Sequence, residues 1–428
     1  MSQKRNNQIH VHIDADAFFA SVEQVLHREL KGKALVVGQN GGIVSALSYP
    51  AKDIGVTRVM PIVSVRKQYP LVSIVSSDFH AYGIFSSRLE RIIRNHIPNL
   101  VKNSVDECSA DIGDLVKNFE GARSLTESLQ NELALKLGCT FSFGVARTPL
   151  LAKLASGLNK PNGITILTDD NVESNIYHLP VGKISGIGNK GVERLNKFGI
   201  YTVGDFAKAD SRWLESNFSI SIPAIQGQVL GFVNSVPKQK EDIKSMSRDR
   251  SFQATESYEY IYSQTSMNIE HLAKRMRNEG LFTKRIGLKL RDQNLAYTKV
   301  FVTFISPSRD PEYILSEAKK LLDKIYVKGV LYRQVSVTCA CLEEMSPQGD
   351  LFGILDESKS KDTFLFMIDI LENKFGKACI GLASSLRAKG NLEKAYSSIT
   401  EGDTYPHPLL SGEEDGKRLI YPFLGMIS

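Results

Sequence analysis

Ile9, Val11 and Ile13 alternate with His10, His12 and Asp14. The period of two predicts a strand with an apolar face, ending on a carboxylate. An amphipathic helix is expected over 17–28 and another over 80–96. A hairpin around 101–113, a helix near 121–137, a strand near 139–145 and a helix near 150–159 complete a βαββαβ pattern. Such an antiparallel sheet, backed by helices, leaves one open face. Between its first helix and the rest lies an insertion, 31–79, with two apolar strands (ALVVG and GIVSAL) and short turns.

Residues 180–237 read as short helices and glycine turns, and the polar stretch 235–247, which carries Pro237, reads as a linker. A second βαββαβ pattern follows: strand 248–253, helix 260–279, strands 284–291 and 298–304, helix 311–326 and strand 333–342. It predicts a second ferredoxin-like domain. Beyond 345 the chain is mostly polar, with one amphipathic helix over 363–376.

Composition narrows this little. With 428 residues, 42% apolar and 23% charged, the chain predicts a soluble globular protein of two to four domains, and the two βαββαβ patterns make it α+β. The polar start, with no long apolar run after it, predicts neither signal peptide nor membrane span. Five cysteines without metal-ligand spacing predict a reducing, cytoplasmic setting. The net charge of +6 is compatible with a polyanionic partner.

The chemistry is concentrated in two motifs, IHVHIDADAFFASVE (9–23) and NSVDECSADI (103–112), which bring Asp14, Asp106 and Glu107 to the ends of apolar strands. Converging carboxylates raise one another's pKa values unless a cation is present, so divalent metal is the expected partner. Two-metal catalysis would use Asp14 and Asp106 as bridging ligands, with Glu107 completing the metal near the attacking hydroxyl. Asp16 and Asp111 read as solvated turn carboxylates.

Phosphate contacts are offered by Ala17, Phe18 and Phe19, whose amides open a helix straight after the acidic strand. Tyr49 and Lys52 in SALSYPAKDIGV, and Lys160 in NKPNGI, are further candidates. Gly186 and Gly188, flanking Ile187 ahead of an amphipathic helix, match a helix-hairpin-helix, whose turn holds a DNA phosphate without reading sequence. Along KRIGLKLR, Arg285, Lys289 and Arg291 share the face opposite Ile286, Leu288 and Leu290. In 238–299, 13 Lys and Arg stand against 8 Asp and Glu, an excess that suits a DNA backbone. Gln348, Leu351 and Phe352 belong to a pentapeptide whose Leu-Phe end could fill a partner's pocket.

Taken together and in order, IDADAFFASVE, SYPAKDIGV, SVDE, GVARTPLLAKLASGLNKPNGI and GIGNKGVERLNKFGI resemble the Y-family translesion DNA polymerases of the DNA polymerase IV type, over roughly residues 8–345. The resemblance implies a right-hand architecture. It has a ferredoxin-like palm (1–30 and 80–175), small fingers (31–79) and a thumb with the helix-hairpin-helix (176–237). A linker (238–247) and a βαββαβ little finger (248–345) follow, then an extension (346–428).

It further implies Asp14, Asp106 and Glu107 as catalytic and metal-binding, with the Ala15 carbonyl assisting two Mg2+ ions. Phe19 becomes a steric gate against the ribose 2′-hydroxyl. Ala17, Phe18, Phe19, Tyr49, Lys52 and Lys160 would hold the dNTP; Gly186, Gly188, Arg285, Lys289 and Arg291 would hold DNA. Residues 348–352 are similar to a sliding-clamp-binding motif. Lys52 stands where the family usually carries Arg, keeping the charge and losing the bidentate fork. Gly349 replaces the commoner Leu, and TRVMP (57–61) differs modestly from the usual turn.

The expected activity is low-fidelity, template-directed nucleotidyl transfer from dNTPs to a primer 3′-hydroxyl on damaged DNA, without a proofreading exonuclease. The expected protein is a cytoplasmic, nucleoid-associated monomer. Two other classes fit part of the pattern: a non-catalytic DNA- and clamp-binding accessory, and another metal-dependent phosphoryl transferase on a palm-like sheet. The first should have lost an acid; the second would need neither Phe19 nor the helix-hairpin-helix.

Overall fold

The computed structural model describes residues 8–39, 42–219, 221–232, 243–344, 363–371, 374 and 381–388. Apart from Gly42, the described chain divides into one unit up to residue 232 and a second from residue 243.

The first unit opens with β1 (His10–Ala15) and α1 (Phe18–Leu26). The insertion follows as β2 (Leu35–Val37), β3 (Ala46–Leu47), α2 (Tyr49–Asp53), α3 (Ile62–Gln68) and β4 (Ser73–Val75). These three strands form their own small sheet, ordered β3-β2-β4, over a core that includes Val36, Val44, Ile62 and Val65. Ser48 starts α2 by accepting from the Ala51 amide, with Pro50 in the first turn.

The chain returns through α4 (Phe79–His96), β5 (Val101–Lys102), β6 (Glu107–Asp111), α5 (Phe119–Leu137), β7 (Phe141–Ala146), α6 (Pro149–Ser156) and β8 (Ile164–Ile166). The main sheet is ordered β5-β6-β1-β7-β8. β1 lies between two antiparallel neighbours, and β8 adds a parallel edge. Ile9, Val11 and Ile13 are buried with Leu89, Ile93, Leu129 and Leu133 of the backing helices. Each such side chain contributes roughly 1.5–3 kcal/mol on burial, and the aggregate pins the register of β1.

Short helices α7 (Val172–Ile176), α8 (Asn189–Asn196), α9 (Val203–Lys208), α10 (Ser211–Asn217) and α11 (Ser221–Val229) finish the unit around Leu195, Phe206 and Leu214.

The second unit runs β9 (Ser245–Thr255), α12 (Tyr258–Asn278), β10 (Leu281–Asp292), β11 (Tyr297–Ser308), α13 (Pro311–Ile325) and β12 (Tyr332–Glu344). The predicted element order is present, and β9 begins inside the stretch read as linker. The strand order corrects the expectation of a second ferredoxin-like sheet. In the first unit the opening strand β1 sits beside the hairpin strand β6. In the second the closing strand β12 takes that place, giving β11-β10-β12-β9, antiparallel throughout. Ile286, Leu288 and Leu290 pack on one face against Ile269, Leu272, Ile314 and Leu322.

The extension folds back on this unit. A helix over 363–371 places Asp369 in a bidentate pair with Arg277 of α12, at 2.7 and 2.8 Å, and both side chains are nearly buried. Ser266 bonds Ser384 at 2.7 Å, and the Leu382 amide donates to Glu270 at 2.8 Å. Among the described residues no helix is long and apolar enough to cross a membrane.

Candidate active site

The acidic residues meet because β1 and β6 are neighbours. Asp14 stands opposite Glu107 in the register, and the Ala15 amide donates to the Asp106 carbonyl at 2.9 Å. Ser104 shapes the turn into β6: its hydroxyl donates to Asp106 Oδ1 at 2.5 Å and accepts from the Glu107 amide at 3.1 Å. Two ammonium groups answer the negative charge. Lys160 pairs with Asp14, and Lys153 of α6 lies 2.5 Å from Glu107 Oε2.

Burial pushes the Asp14 carboxyl above the ordinary carboxylate range. Lys160 opposes the shift, while Asp106 and Glu107 add to it. Glu107 moves the other way, to about 2: the His12 imidazole and then Lys153 stabilise its charge against the effect of burial. His12 Nδ1 is 2.9 Å from Ser156 Oγ, and its Nε2 faces Glu107 Oε2 at 3.8 Å.

Among the described residues no three His, Cys, Asp or Glu side chains are drawn together as a group that could hold a metal ion. Asp14, Asp106 and Glu107 are instead engaged separately, by Lys160, Ser104 and Lys153. Both lysines sit where a cation would offset the same charge. The donors are hard carboxylate oxygens, the chemistry that suits Mg2+ or Mn2+.

Beyond β1 the backbone turns sharply. Ala17, in the left-handed region at φ 47°, is the N-cap of α1 and contributes no side-chain cap. Phe18 is buried, whereas Phe19 is half-buried and stacks on Tyr82 with centroids 4.2 Å apart and planes at 13°. Phe79 meets Phe19 edge-on at 5.9 Å. Tyr82 donates to the buried Glu23, whose carboxyl burial pushes up. The Phe19 ring therefore rests on a fixed aromatic floor.

Tyr49 opens α2, with the Lys52 ammonium 5.9 Å from its ring centre. Burial, then the charges of Asp16 and Asp14, push the Tyr49 hydroxyl well above its usual range, so it stays a donor. Its acceptor is Asp16 Oδ1 at 3.4 Å. This corrects the reading of Asp16 as a solvated turn carboxylate: it is 1% exposed. Asp111, by contrast, is exposed at the far end of β6.

Gly186 adopts φ +97°, which a side chain would rarely tolerate, and a Cβ there would come within 2.8 Å of Ile225. Ile187 is buried, and Gly188 is the N-cap of α8. In the second unit Arg285, Lys289 and Arg291 lie on the sheet face away from Ile286, Leu288 and Leu290, yet each is already engaged. Arg285 lies 4.7 Å from the Phe301 ring centre, Lys289 is 3.7 Å from Asp249, and Arg291 donates to the Leu295 carbonyl at 3.1 Å. Gln348, Leu351 and Phe352 lie outside the described residues.

The structure thus places Asp14, Asp106 and Glu107 at adjacent strand ends, each engaged by a different partner, with Lys160 on Asp14 and Tyr49 linked through Asp16. His12, Asp16 and Lys153 were missed as site residues. Two left a signal in the chain: His12 shares the face of Asp14, and Lys153 is the lone charge in an otherwise apolar helix, PLLAKLAS.

A model of the impB/mucB/samB family matches residues 13–157, one of its C-terminal domain matches 243–351, and one of its helix-hairpin-helix motif matches 169–200. DNA polymerase IV of Methanoculleus marisnigri is 30% identical over 344 residues, 79% of this chain and 95% of that protein. DNA polymerase IV of Desulfatibacillum aliphaticivorans is 29% identical over 392 residues, 89% and 98% of the two chains. Among solved structures, a Y-family DNA polymerase chimera is 26% identical with a TM-score of 0.68, covering 79% of this chain and all of that one.

Proposed function

From the premise that the chain belongs to the Y-family DNA polymerases of the DNA polymerase IV type, we propose that it extends primers by two-metal nucleotidyl transfer at Asp14, Asp106 and Glu107. It is a DNA-directed DNA polymerase of the translesion class, acting on primer-template DNA and dNTPs, and the family works with divalent metal. Beyond family membership, the residues, Mg2+ as the metal and the absence of proofreading are proposed, and the pairing of Asp14 with Glu107 across adjacent strand ends supports the residues.

Asp14, Asp106, Glu107 and the Ala15 carbonyl would hold Mg2+, which would supply Lewis acidity toward the primer 3′-hydroxyl and charge neutralisation for the leaving pyrophosphate. Lys160, at the mouth of the same site, would hold the triphosphate, and Lys153 offsets the charge of Glu107. The opening amides of α1, with Tyr49 and Lys52, hold the remaining phosphate charge. Phe19, fixed on Tyr82, fills the volume a ribose 2′-hydroxyl would need.

Gly186 and Gly188 would hold a DNA phosphate by backbone amides, and Arg285, Lys289 and Arg291 would track the backbone. Residues 348–352 would engage a sliding clamp, with the polymerase a monomer. Primer extension on damaged and undamaged templates, with and without Mg2+, tests the reading. Metal-dependent addition opposite both is expected; extension without divalent metal, or none on either template, overturns it. Shortening of a mismatched primer would refute the absence of proofreading.

A further inference from the structure

We propose that Asp16 is a positioning residue for the incoming nucleotide: its buried carboxylate ties Tyr49 and the turn carrying Lys160 to one point of the main sheet. The inference rests on the reading of Tyr49 and Lys160 as triphosphate-binding groups.

Every polar group of Asp16 is engaged. Its amide donates to the Thr140 carbonyl at 2.9 Å, and its carbonyl accepts from Ser21 Oγ at 2.6 Å. Oδ1 accepts from Ser142 Oγ of β7 at 2.8 Å and from the Tyr49 hydroxyl at 3.4 Å. Oδ2 accepts from the Asn162 amide at 2.8 Å. Carboxyl oxygens at 1% exposure are costly unless donors surround them, and here three converge.

Two of these donors come from segments proposed to meet the substrate, 33 and 146 positions away along the chain. Asn162 sits in the left-handed region at φ 58°, two residues beyond Lys160. The turn is tight enough to require glycine next to it: a Cβ on Gly163 would fall 1.9 Å from the Asn159 carbonyl oxygen. The Gly163 carbonyl also accepts from the Phe143 amide at 2.8 Å, which anchors the turn to β7. Asp16 thus sets the separation of Tyr49 and Lys160 before the nucleotide binds, and the single Tyr49 hydroxyl proton, given to Asp16 at the long distance of 3.4 Å, turns to the phosphate once the nucleotide is bound.

Asp16→Asn keeps the shape but turns an NH2 group toward one of the three donors. The expected result is a rise of about tenfold in KM for dNTP, with kcat changed less than about threefold and DNA affinity unchanged. Tyr49→Phe, which removes only the hydroxyl, should raise KM by a smaller factor, and the double variant should fall short of the product of the two. Should Asp16→Asn fold poorly, Ser142→Ala, which removes one donor to Asp16 and no group proposed to touch the nucleotide, keeps the test open: KM should rise while circular dichroism shows the protein folded at the assay temperature. An unchanged KM in these variants, or factors that multiply fully, overturns the positioning role while wild-type extension stands. Absence of wild-type extension would instead overturn the polymerase reading beneath it.

Discussion

The two large sheets of this molecule start from the same alternation of apolar and polar residues and use it differently. In the first unit the polar groups gather at one end of two adjacent central strands, where Asp14, Asp106 and Glu107 are held by Lys160, Ser104 and Lys153. In the second they run along the length of β10, where Arg285, Lys289 and Arg291 span six residue steps, ~20 Å. A strand end places a few groups rigidly, as bond-making needs. A strand face offers a row of charges, as a long polyanion needs, and no single one of them is decisive. Strand order is not the difference, because β1 and β10 are each paired on both sides; what differs is placement, at the strand terminus in β1 and along the strand face in β10.

This contrast sets the sizes of the predicted effects. Asp106→Ala should lower single-turnover extension by about a thousandfold or more, several kcal/mol of transition-state stabilisation, with DNA affinity nearly intact. Phe19→Ala should cut discrimination against ribonucleotides by at least ~10-fold, read from competing dNTP and rNTP insertion; unchanged selectivity would remove Phe19 from the gate.

Replacing Arg285, Lys289 and Arg291 by Ala should weaken DNA binding most at low salt. The salt slope of log K should fall by about one for each phosphate that is no longer neutralised. A weakening independent of salt would contradict the backbone-tracking role.

The acid limb gives a smaller effect. The Glu107 carboxyl drops from 4.5 to about 2, so its contribution to stability is complete above 4.5 and is lost as pH falls from there toward 2. Lys153→Met should narrow that window in acid unfolding followed by circular dichroism. Arg277→Ala, which strands Asp369, should expose 363–371 to protease and leave nucleotide insertion unaltered.

The sequence made the first sheet legible because its message is local. IHVHIDADAFF carries strand, carboxylate and gate within eleven residues, and SVDE repeats the strand-end placement. Asp16 was misread because the donors that define it come from Tyr49, Ser142 and Asn162, far along the chain. Element order in the second unit was equally plain, but which strand lies beside β10 is decided by pairing between distant segments. Local alternation does not encode that choice. The docking of 363–371 was hidden for a related reason: its one inward anchor, Asp369, is the sole acidic residue of an apolar stretch and looks like an ordinary solvent-facing group.

The most direct test is single-turnover primer extension at saturating DNA by two variants, Asp106→Ala and the Arg285, Lys289 and Arg291 triple replacement. If the strand end performs the chemistry and the strand face only holds DNA, the first loses the bond-forming rate at every DNA concentration, and the second regains the wild-type rate once DNA saturates. A triple variant that stays slow at saturation, or an Asp106→Ala protein rescued by more DNA, would contradict the account.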